Sequence, residues 1–149
     1  MCLEGEPQAR QKGMKLKMQE NIFEKLNQTI KNSKSKYYHF PVAAILECKD
    51  NTYYQGTNIE TSSPGAGTCA ERCALFFALA NGKNKDDFKK IYLLNETNNF
   101  ITPCFVCRQA LNDYCNDDLE IITYNKLGES KTYLLKDLCN ESFDEDSLK

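Results

Sequence analysis

The sequence lacks both a strong charge of one sign and any long apolar stretch. Among 149 residues, 19 lysines and arginines against 21 aspartates and glutamates give a formal net charge of −2, without the basic excess typical of proteins that bind long nucleic acids. No apolar run approaches the roughly 20 residues of a membrane-spanning helix. The N-terminal part has no apolar signal-peptide region. We therefore expect a cytoplasmic protein that binds a small molecule, with no nucleic-acid or membrane partner.

Arginine and histidine are also scarce. Three arginines, Arg10, Arg72 and Arg108, stand against 16 lysines, while asparagine occurs 14 times. This composition indicates a coding bias against arginine, so each arginine that remains needs a physical reason. Arg72 and Arg108 each adjoin a residue of the motifs described below. The single histidine, His39, precedes Phe40 and is interpreted as a loop residue rather than a metal ligand.

Cysteine, by contrast, is abundant, with eight residues. In a small secreted chain this number would indicate a disulfide framework, but a chain of this length with regular apolar segments needs none. We expect a reduced protein in which Cys48, Cys115 and Cys139 act as small apolar side chains. Residues 1–17 begin with a polar, patternless stretch, and we expect a leader there, followed by a single domain over residues 18–149.

The apolar periodicity predicts an α/β fold. The predicted elements are a helix over residues 19–31, strands over 41–48 and 52–59, a helix over 68–80, a strand over 88–95, a helix over 102–115, strands over 119–124 and 131–134, and a short helix over 135–139. Helices that alternate with strands in the middle imply crossover connections. We predict a single-domain α-β-α sandwich, in which a mixed five-stranded sheet has helices on both faces.

Two segments at predicted helix starts carry candidate chemistry. Residues 68–73 read Thr-Cys-Ala-Glu-Arg-Cys, and residues 102–109 read Thr-Pro-Cys-Phe-Val-Cys-Arg-Gln. At a helix start, unpaired backbone N–H groups and the helix dipole favour a thiolate over a thiol. Two such starts side by side can present Cys69, Cys104 and Cys107 to one zinc ion and leave its fourth position open.

Glu71 adds a proton carrier to this arrangement. It lies two residues after Cys69, where a carboxylate can move protons without binding the metal. A metal ligand, one further residue and a glutamate, followed later by Pro-Cys-x-x-Cys, is the signature of zinc deaminases. Arg72 follows Glu71, and its permanent positive charge would compensate the charge of three thiolates on one Zn²⁺.

With these motifs the sequence resembles the small, three-cysteine cytidine deaminases over residues 22–148. The resemblance is carried by Tyr-His-Phe-Pro-Val at 38–42, Thr-Asn-Ile-Glu at 57–60, Thr-Cys-Ala-Glu-Arg at 68–72, Pro-Cys-Phe-Val-Cys-Arg-Gln at 103–109 and Ser-Phe at 142–143. It implies a cytidine deaminase-like fold. It also implies zinc-dependent hydrolytic deamination of cytidine and 2′-deoxycytidine to uridine and 2′-deoxyuridine, with release of ammonia, as in pyrimidine salvage.

The resemblance further implies a metal centre with one Zn²⁺ per chain. Cys69, Cys104 and Cys107 would bind the ion, and Glu71 would be the proton shuttle.

The same resemblance implies the contacts to the substrate. Asn58 and Glu60 would hydrogen-bond a sugar hydroxyl, Phe40 would pack on the base, and the backbone of Ala70 would contact the pyrimidine. Phe143 would close the pocket of a neighbouring subunit in a homotetramer.

Two departures from the family pattern concern the shape of the pocket and the subunit contact. The family often has a tyrosine where this chain has Pro64. It commonly reads Val-Gly-Ala-Ala where this chain reads Val-Ala-Ala at 42–44.

Alternatives to these interpretations stay open. Thr68-x-x-Glu71 also matches a capping box, which needs no catalysis. Cys73 could join the other three cysteines in a closed, structural zinc site. The same chemistry could act on a nucleoside-like antibiotic such as blasticidin S. Action on a base within RNA or DNA is disfavoured, because such enzymes usually have histidine as first ligand and a basic groove for the strand.

Overall fold

The computed structural model describes residues 21–149, and the leader predicted over residues 1–17 lies outside that range. The helices are α1 (Ile22–Thr29), α2 (Ala70–Ala80), α3 (Phe105–Tyr114) and α4 (Leu135–Leu138). The strands are β1 (Val42–Cys48), β2 (Tyr53–Thr57), β3 (Phe88–Asn95), β4 (Glu120–Tyr124) and β5 (Ser130–Leu134). No helix of the described part is both long and apolar enough to cross a membrane.

The five strands form one sheet in the order β2-β1-β3-β4-β5. β3 and β4 are parallel, and the other neighbouring pairs are antiparallel, so the predicted mixed sheet is confirmed. All seven residues of β1 are buried, as its continuous apolar run predicts. Because β2 and β3 both run antiparallel to β1, their last residues meet at one edge of the sheet. Thr57 pairs with Ala43 there, and Asn95 pairs with Val42.

Two apolar clusters hold the helices on opposite faces of this sheet. On one face, α2, α3 and α4 contribute Leu75, Leu111 and Leu135 to the larger cluster. On the other face, α1 contributes Leu26 and Ile30 to the smaller one. Each buried leucine or isoleucine contributes roughly 1.5–3 kcal/mol. Since α2 and α3 pack on the same face, both helices are fixed relative to one sheet edge.

Gly56 of β2 lets the start of α2 lie directly against the sheet. A Cβ atom at this position would stand 2.4 Å from the Ala70 carbonyl oxygen and 2.5 Å from the Ala74 backbone nitrogen. Both distances are too short for a real contact, so only glycine permits this packing. At the other end, α2 ends at Ala80 with Asn81 as its C-cap, and Gly82 in the following C′ position has a left-handed φ of +87°, which favours glycine there.

Two aromatic side chains of α2 do not belong to the core. Phe76 and Phe77 are 46% and 54% exposed. Leu75 and Ala78, which are buried, occupy the stripe of α2 that faces the sheet, and the two phenylalanines between them point away from it. The Phe77 ring packs edge-to-face with the ring of Tyr54, with a distance of 5.4 Å between the ring centroids.

Candidate metal centre and ligand cavity

Two helix starts meet at the sheet edge where β2 and β3 end. We call residues 68–72 the first cysteine turn and residues 102–108 the second cysteine turn. The first leads into α2 and the second into α3, and the N-cap residues are Cys69 and Cys104. The topology thus brings Cys69 close to Cys104 and Cys107, as the two sequence motifs predicted.

Thr68 and Thr102, which precede the two helix starts, do not cap their helices. The Thr68 hydroxyl donates to the Cys69 carbonyl at 3.3 Å, and the Thr102 hydroxyl accepts a hydrogen bond from Arg108 at 2.8 Å. Neither helix has a side-chain hydrogen bond at its N-cap. The free N–H groups of both first turns therefore remain available to stabilise a thiolate.

The thiols of Cys69, Cys104 and Cys107 form a compact cluster. Their Sγ atoms all lie within 4.8 Å of one another, and those of Cys69 and Cys104 are 3.8 Å apart. A tetrahedral ion with bonds of about 2.3 Å to sulfur separates its sulfur ligands by roughly 3.8 Å, so this set fits zinc. Cys107 is buried whereas Cys104 is exposed, so the cluster is accessible from the Cys104 side. Within residues 21–149, Cys73 does not belong to the group, which argues against the closed four-cysteine site.

Glu71 lies beside this cluster on the first turn of α2. It is buried, with 5% of its surface exposed, and its carboxyl is within hydrogen-bonding reach of Cys107. Burial raises the pKa of the Glu71 carboxyl to about 7, and a negative charge on Cys69 acts in the same direction. Since no side chain caps α2, the capping-box alternative is not realised. A carboxyl that titrates near neutral pH can both accept and return a proton.

Arg72 directs its guanidinium at the same sulfurs. Its Nη2 group lies 3.9 Å from the Sγ atom of Cys69. A hydrogen bond from Cys107 lowers the pKa of the Cys69 thiol, and Arg72 lowers it further, against the opposing effect of burial. The Nε–H group of Arg72 is buried and has no acceptor within the described part of the chain. The chain thus places a permanent cation against its thiolate cluster.

A cavity of 740 Å³ opens over the first cysteine turn. Its lining contains Cys69, Cys104, Glu71 and Arg72. Four of the five residues predicted to contact a substrate also line it, namely Phe40, Asn58, Glu60 and Ala70. Pro64, at the position where tyrosine was expected, forms part of the same wall.

The family comparison agrees with this geometry. The sequence model of the family described as "Cytidine and deoxycytidylate deaminase zinc-binding region" matches residues 16–123. The chain belongs to this deaminase family.

Relatives with assigned names match most of the chain. The cytidine deaminase of Sporosarcina psychrophila is 33% identical over 112 residues, which are 75% of this chain and 81% of the relative. The cytidine deaminase of Halalkalibacterium halodurans is 34% identical over 107 residues, 72% of this chain and 80% of the relative. The crystal structure of cytidine deaminase from Burkholderia pseudomallei superposes with a TM-score of 0.79 at 32% identity. It covers 83% of this chain and 98% of its own.

The Asn58 side chain forms hydrogen bonds with the backbone on both sides of Pro41, at Phe40 and Val42. Its side-chain oxygen accepts from the Val42 amide at 2.9 Å and from the Ser33 hydroxyl, and its nitrogen donates to the Phe40 carbonyl at 2.8 Å. The second N–H of the Asn58 amide donates to no group within residues 21–149. Asn58 therefore fixes the position of Phe40 in the cavity wall.

The Glu60 side chain also forms hydrogen bonds with the backbone of the loop before β1. One carboxylate oxygen accepts from the backbone amides of Tyr37 and Tyr38 at 2.7 and 3.2 Å. Its second oxygen accepts no hydrogen bond from residues 21–149. Both polar residues predicted to touch a sugar thus also organise the loop that precedes β1.

Phe143 is the predicted contact residue that does not line the cavity of its own chain. Its side chain is 58% exposed, and its carbonyl accepts a hydrogen bond from Gln109 on α3 at 2.9 Å. The exposed ring is therefore held near the surface by the helix that carries Cys107.

Several residues of the cavity were not found from the sequence. Tyr37, Tyr38 and Ile101 also form its wall. The two tyrosines directly precede the His-Phe-Pro segment, so their place in the motif was a usable signal. Ile101 belongs to a loop without periodicity, and no sequence signal would have placed it there.

Proposed function

We propose that the protein catalyses the hydrolytic deamination of cytidine and 2′-deoxycytidine, which yields uridine or 2′-deoxyuridine and ammonia. The observation that carries this proposal is the buried Glu71 carboxyl beside three clustered thiols in the wall of a ligand-sized cavity. The membership in the deaminase family and the name of the relatives support it.

Cys69, Cys104 and Cys107 would hold one zinc ion. Bound zinc supplies a Lewis acid that lowers the pKa of water at the open side of the cluster. Three thiolate ligands would lower the Lewis acidity of the metal. Arg72 counteracts this effect, because its cation withdraws negative charge from Cys69.

Glu71 moves the protons of the reaction. Its carboxylate accepts a proton from the water that attacks C4 and delivers it to the ring nitrogen N3. It then carries the remaining proton of the new C4 hydroxyl to the amine, so that the C4–N4 bond breaks, the C4 carbonyl forms and ammonia leaves. The raised pKa suits this role, because a carboxyl with a pKa near 7 loses and regains its proton with little cost at neutral pH. Its burial also excludes bulk water from the transfer path.

The remaining cavity residues orient a nucleoside. Phe40 packs against the pyrimidine ring, and Ala70 offers backbone groups to its edge. Asn58 and Glu60 retain one amide hydrogen and one carboxylate oxygen for the sugar hydroxyls.

The charges of the lining favour a nucleoside over a nucleotide. Within residues 21–149, the lining contains the carboxyl side chains Glu60 and Glu71 and a single cationic side chain, Arg72, which already faces Cys69. A 5′-phosphate would meet the Glu60 carboxylate without a free cation from these residues to pair with it. Cytidine or 2′-deoxycytidine brings no such charge.

We further propose a homotetramer. Large apolar side chains on the outer surfaces of α2 and α3 are exposed: Phe76, Phe77, Phe105, Val106 and Tyr114. Clustered apolar surface of this kind usually marks an interface. Phe143 is exposed and outside its own cavity, so a neighbouring subunit could receive it.

The tetramer is tested by measuring molar mass in solution for the full chain and for a chain that lacks residues 142–149. We expect four chains per particle in both, and a KM for cytidine at least tenfold higher in the shortened chain with a similar unfolding midpoint. A fully active monomer would contradict the proposal.

We also assign the protein to the cytoplasm. The seven cysteines of residues 21–149 are all free, which suits a reducing compartment.

The activity is tested by following the loss of cytidine absorbance on addition of the purified protein. The assay is run with cytidine, 2′-deoxycytidine, 2′-deoxycytidine 5′-phosphate and blasticidin S, each with and without a zinc chelator. We expect chelator-sensitive turnover of the two nucleosides only. Preference for the nucleotide or for blasticidin S would contradict the proposed substrate class, and no turnover of any of the four would contradict the activity.

A further inference from the structure

Arg108 follows Cys107 directly, yet its side chain turns away from the sulfurs. Its three nitrogen groups donate to three different acceptors. Nε donates to the Pro103 carbonyl at 2.8 Å, Nη2 to the Thr102 hydroxyl at 2.8 Å, and Nη1 to the Leu138 carbonyl at 3.1 Å. The guanidinium carbon also lies 4.6 Å from the centre of the Phe105 ring. Each of the three guanidinium nitrogens is therefore bonded to a protein group.

These contacts fix the segment immediately before α3. The Arg108 side chain holds residues 102 and 103, and the Arg108 backbone amide donates to the Cys104 carbonyl at 2.9 Å. Cys104 therefore lies between two points that are both tied to Arg108. No side chain caps α3, so the segment before the helix is held by these Arg108 bonds rather than by an N-cap.

The third contact reaches the C-terminal segment of the chain. Leu138 is the last residue of α4, and the Sγ atom of the next residue, Cys139, lies 3.6 Å from the Arg108 carbonyl oxygen. One turn of α3 therefore contacts both the loop that carries Cys104 and the end of α4. Because Arg108 connects the Cys104 loop to the end of α4, it restrains the loop more than a hydrogen bond confined to the loop would.

We infer that Arg108 is a positioning residue that holds Cys104 and Cys107 at their metal-binding separation and so slows the loss of zinc. This inference rests on the proposed zinc site. Cys104 is the exposed ligand and belongs to a loop, so it is the ligand most able to move away from a metal. Arg108 restrains this movement from the protein side, without contact to the sulfur.

Lysine cannot replace this side chain. Three acceptors in three directions require the planar fork of arginine, whereas an ammonium group is a compact point charge. In a chain with 16 lysines and three arginines, an arginine at this position has a geometric reason.

The experiment measures the rate at which the zinc-loaded protein releases its metal to an excess of a chromogenic chelator, together with the unfolding midpoint. We expect Arg108→Gln to release zinc at least tenfold faster than the parent. Arg108→Lys should lie between the two. Thr102→Val, which removes one acceptor and keeps the arginine, should speed release about two- to fivefold, and it serves as the test if Arg108→Gln does not fold.

Two controls separate positioning from general effects. Lys131→Gln removes a cation that likewise lies 4.6 Å from a phenylalanine ring, that of Phe100, and should release zinc at the parental rate. Ile30→Val lowers the unfolding midpoint from the opposite face of the sheet and should also leave the rate unchanged. Faster release in Ile30→Val equal to that in Arg108→Gln would reduce Arg108 to a general stabiliser and overturn the inference.

The remaining outcomes distinguish this inference from the proposed function. A parent protein that binds no zinc would contradict the proposed zinc site itself. A parent that holds zinc, with folded Arg108→Gln or Thr102→Val releasing it at the parental rate, would overturn only the role of Arg108.

Discussion

The first and second cysteine turns share one local design but differ in what surrounds the sulfurs. Each turn has a cysteine as the N-cap of a helix, lacks a side-chain cap and contains an arginine shortly after its cysteine ligand. In the first turn, Glu71 and Arg72 face the cluster. In the second turn, Arg108 faces backbone carbonyls and a hydroxyl instead.

This difference divides two tasks between turns of similar sequence. The first turn starts against β2, where Gly56 admits close packing, so its backbone is fixed by the sheet and its side chains are free for chemistry. The second turn follows a loop and contains the exposed ligand Cys104, so its arginine is used to hold the backbone. An arginine beside a metal ligand therefore does not by itself indicate a charge effect on the metal.

The largest expected effect tests the chemistry of the first turn. Glu71→Gln keeps the shape of the side chain but cannot accept a proton, so we expect kcat to fall by at least about 10³-fold. Zinc content and the affinity for a nucleoside should stay near those of the parent, because glutamine does not disturb the sulfurs. Both are measured on the purified variant by metal analysis and by calorimetric titration. Turnover within tenfold of the parent would show that another group carries the proton.

The next comparison tests which cysteines bind the metal. Cys69→Ala should lose nearly all of the roughly one zinc per chain, since it removes one of three ligands. Cys73→Ala should retain the parental zinc content, because Cys73 lies outside the cluster. Metal analysis of both variants after gel filtration checks this. Equal loss of zinc in Cys69→Ala and Cys73→Ala would instead support the closed four-cysteine site.

A third prediction concerns Arg72, which acts through charge where Arg108 acts through position. Arg72→Gln should keep zinc but lose about 10- to 100-fold in kcat, because a hydrogen bond between charged groups contributes about 1.5–3 kcal/mol. Without this cation, the thiolates make the metal a poorer Lewis acid, and the water that must lose a proton becomes less acidic. The activity optimum should therefore move to higher pH. Arg72→Lys should recover part of the loss.

The pH profile of kcat with cytidine distinguishes this role from a structural one. A surface ion pair would change stability without moving the optimum. A parental profile in Arg72→Gln would contradict charge compensation.

The sequence allowed prediction of those features that depend on short-range patterns. Continuous apolar runs predicted the buried strands, and the topology they imply brought the cysteine segments to one sheet edge. The spacing of Cys104 and Cys107 predicted a chelating pair, and the structure shows their Sγ atoms clustered with that of Cys69.

Other features depend on contacts that no local pattern encodes. Thr102 matches an N-cap signal, but Arg108 takes its hydroxyl, so tertiary hydrogen bonding overrode local capping. The exposure of Phe76 and Phe77 could not be derived from a helix in which nearly every position is apolar, because its buried stripe has no polar border. The hydrogen bond from Arg108 to the Leu138 carbonyl joins residues 30 positions apart, so no short motif could predict it.

The smallest expected effects compare the two threonines that precede the cysteines. Thr68→Val removes a hydroxyl whose only hydrogen bond within the described residues 21–149 is a long one to the next carbonyl, so we expect it to lower the free energy of unfolding by less than about 0.5 kcal/mol. Thr102→Val removes the acceptor of a charged donor and should cost about 1–2 kcal/mol. Valine matches threonine in shape, so the difference isolates the hydroxyl. Urea denaturation of both variants, loaded with metal, measures it. If Thr68 capped α2 in solution, its loss would cost about 1 kcal/mol and match that of Thr102. Glu71 would then belong to a capping box for part of the time, and its availability for proton transfer would fall accordingly.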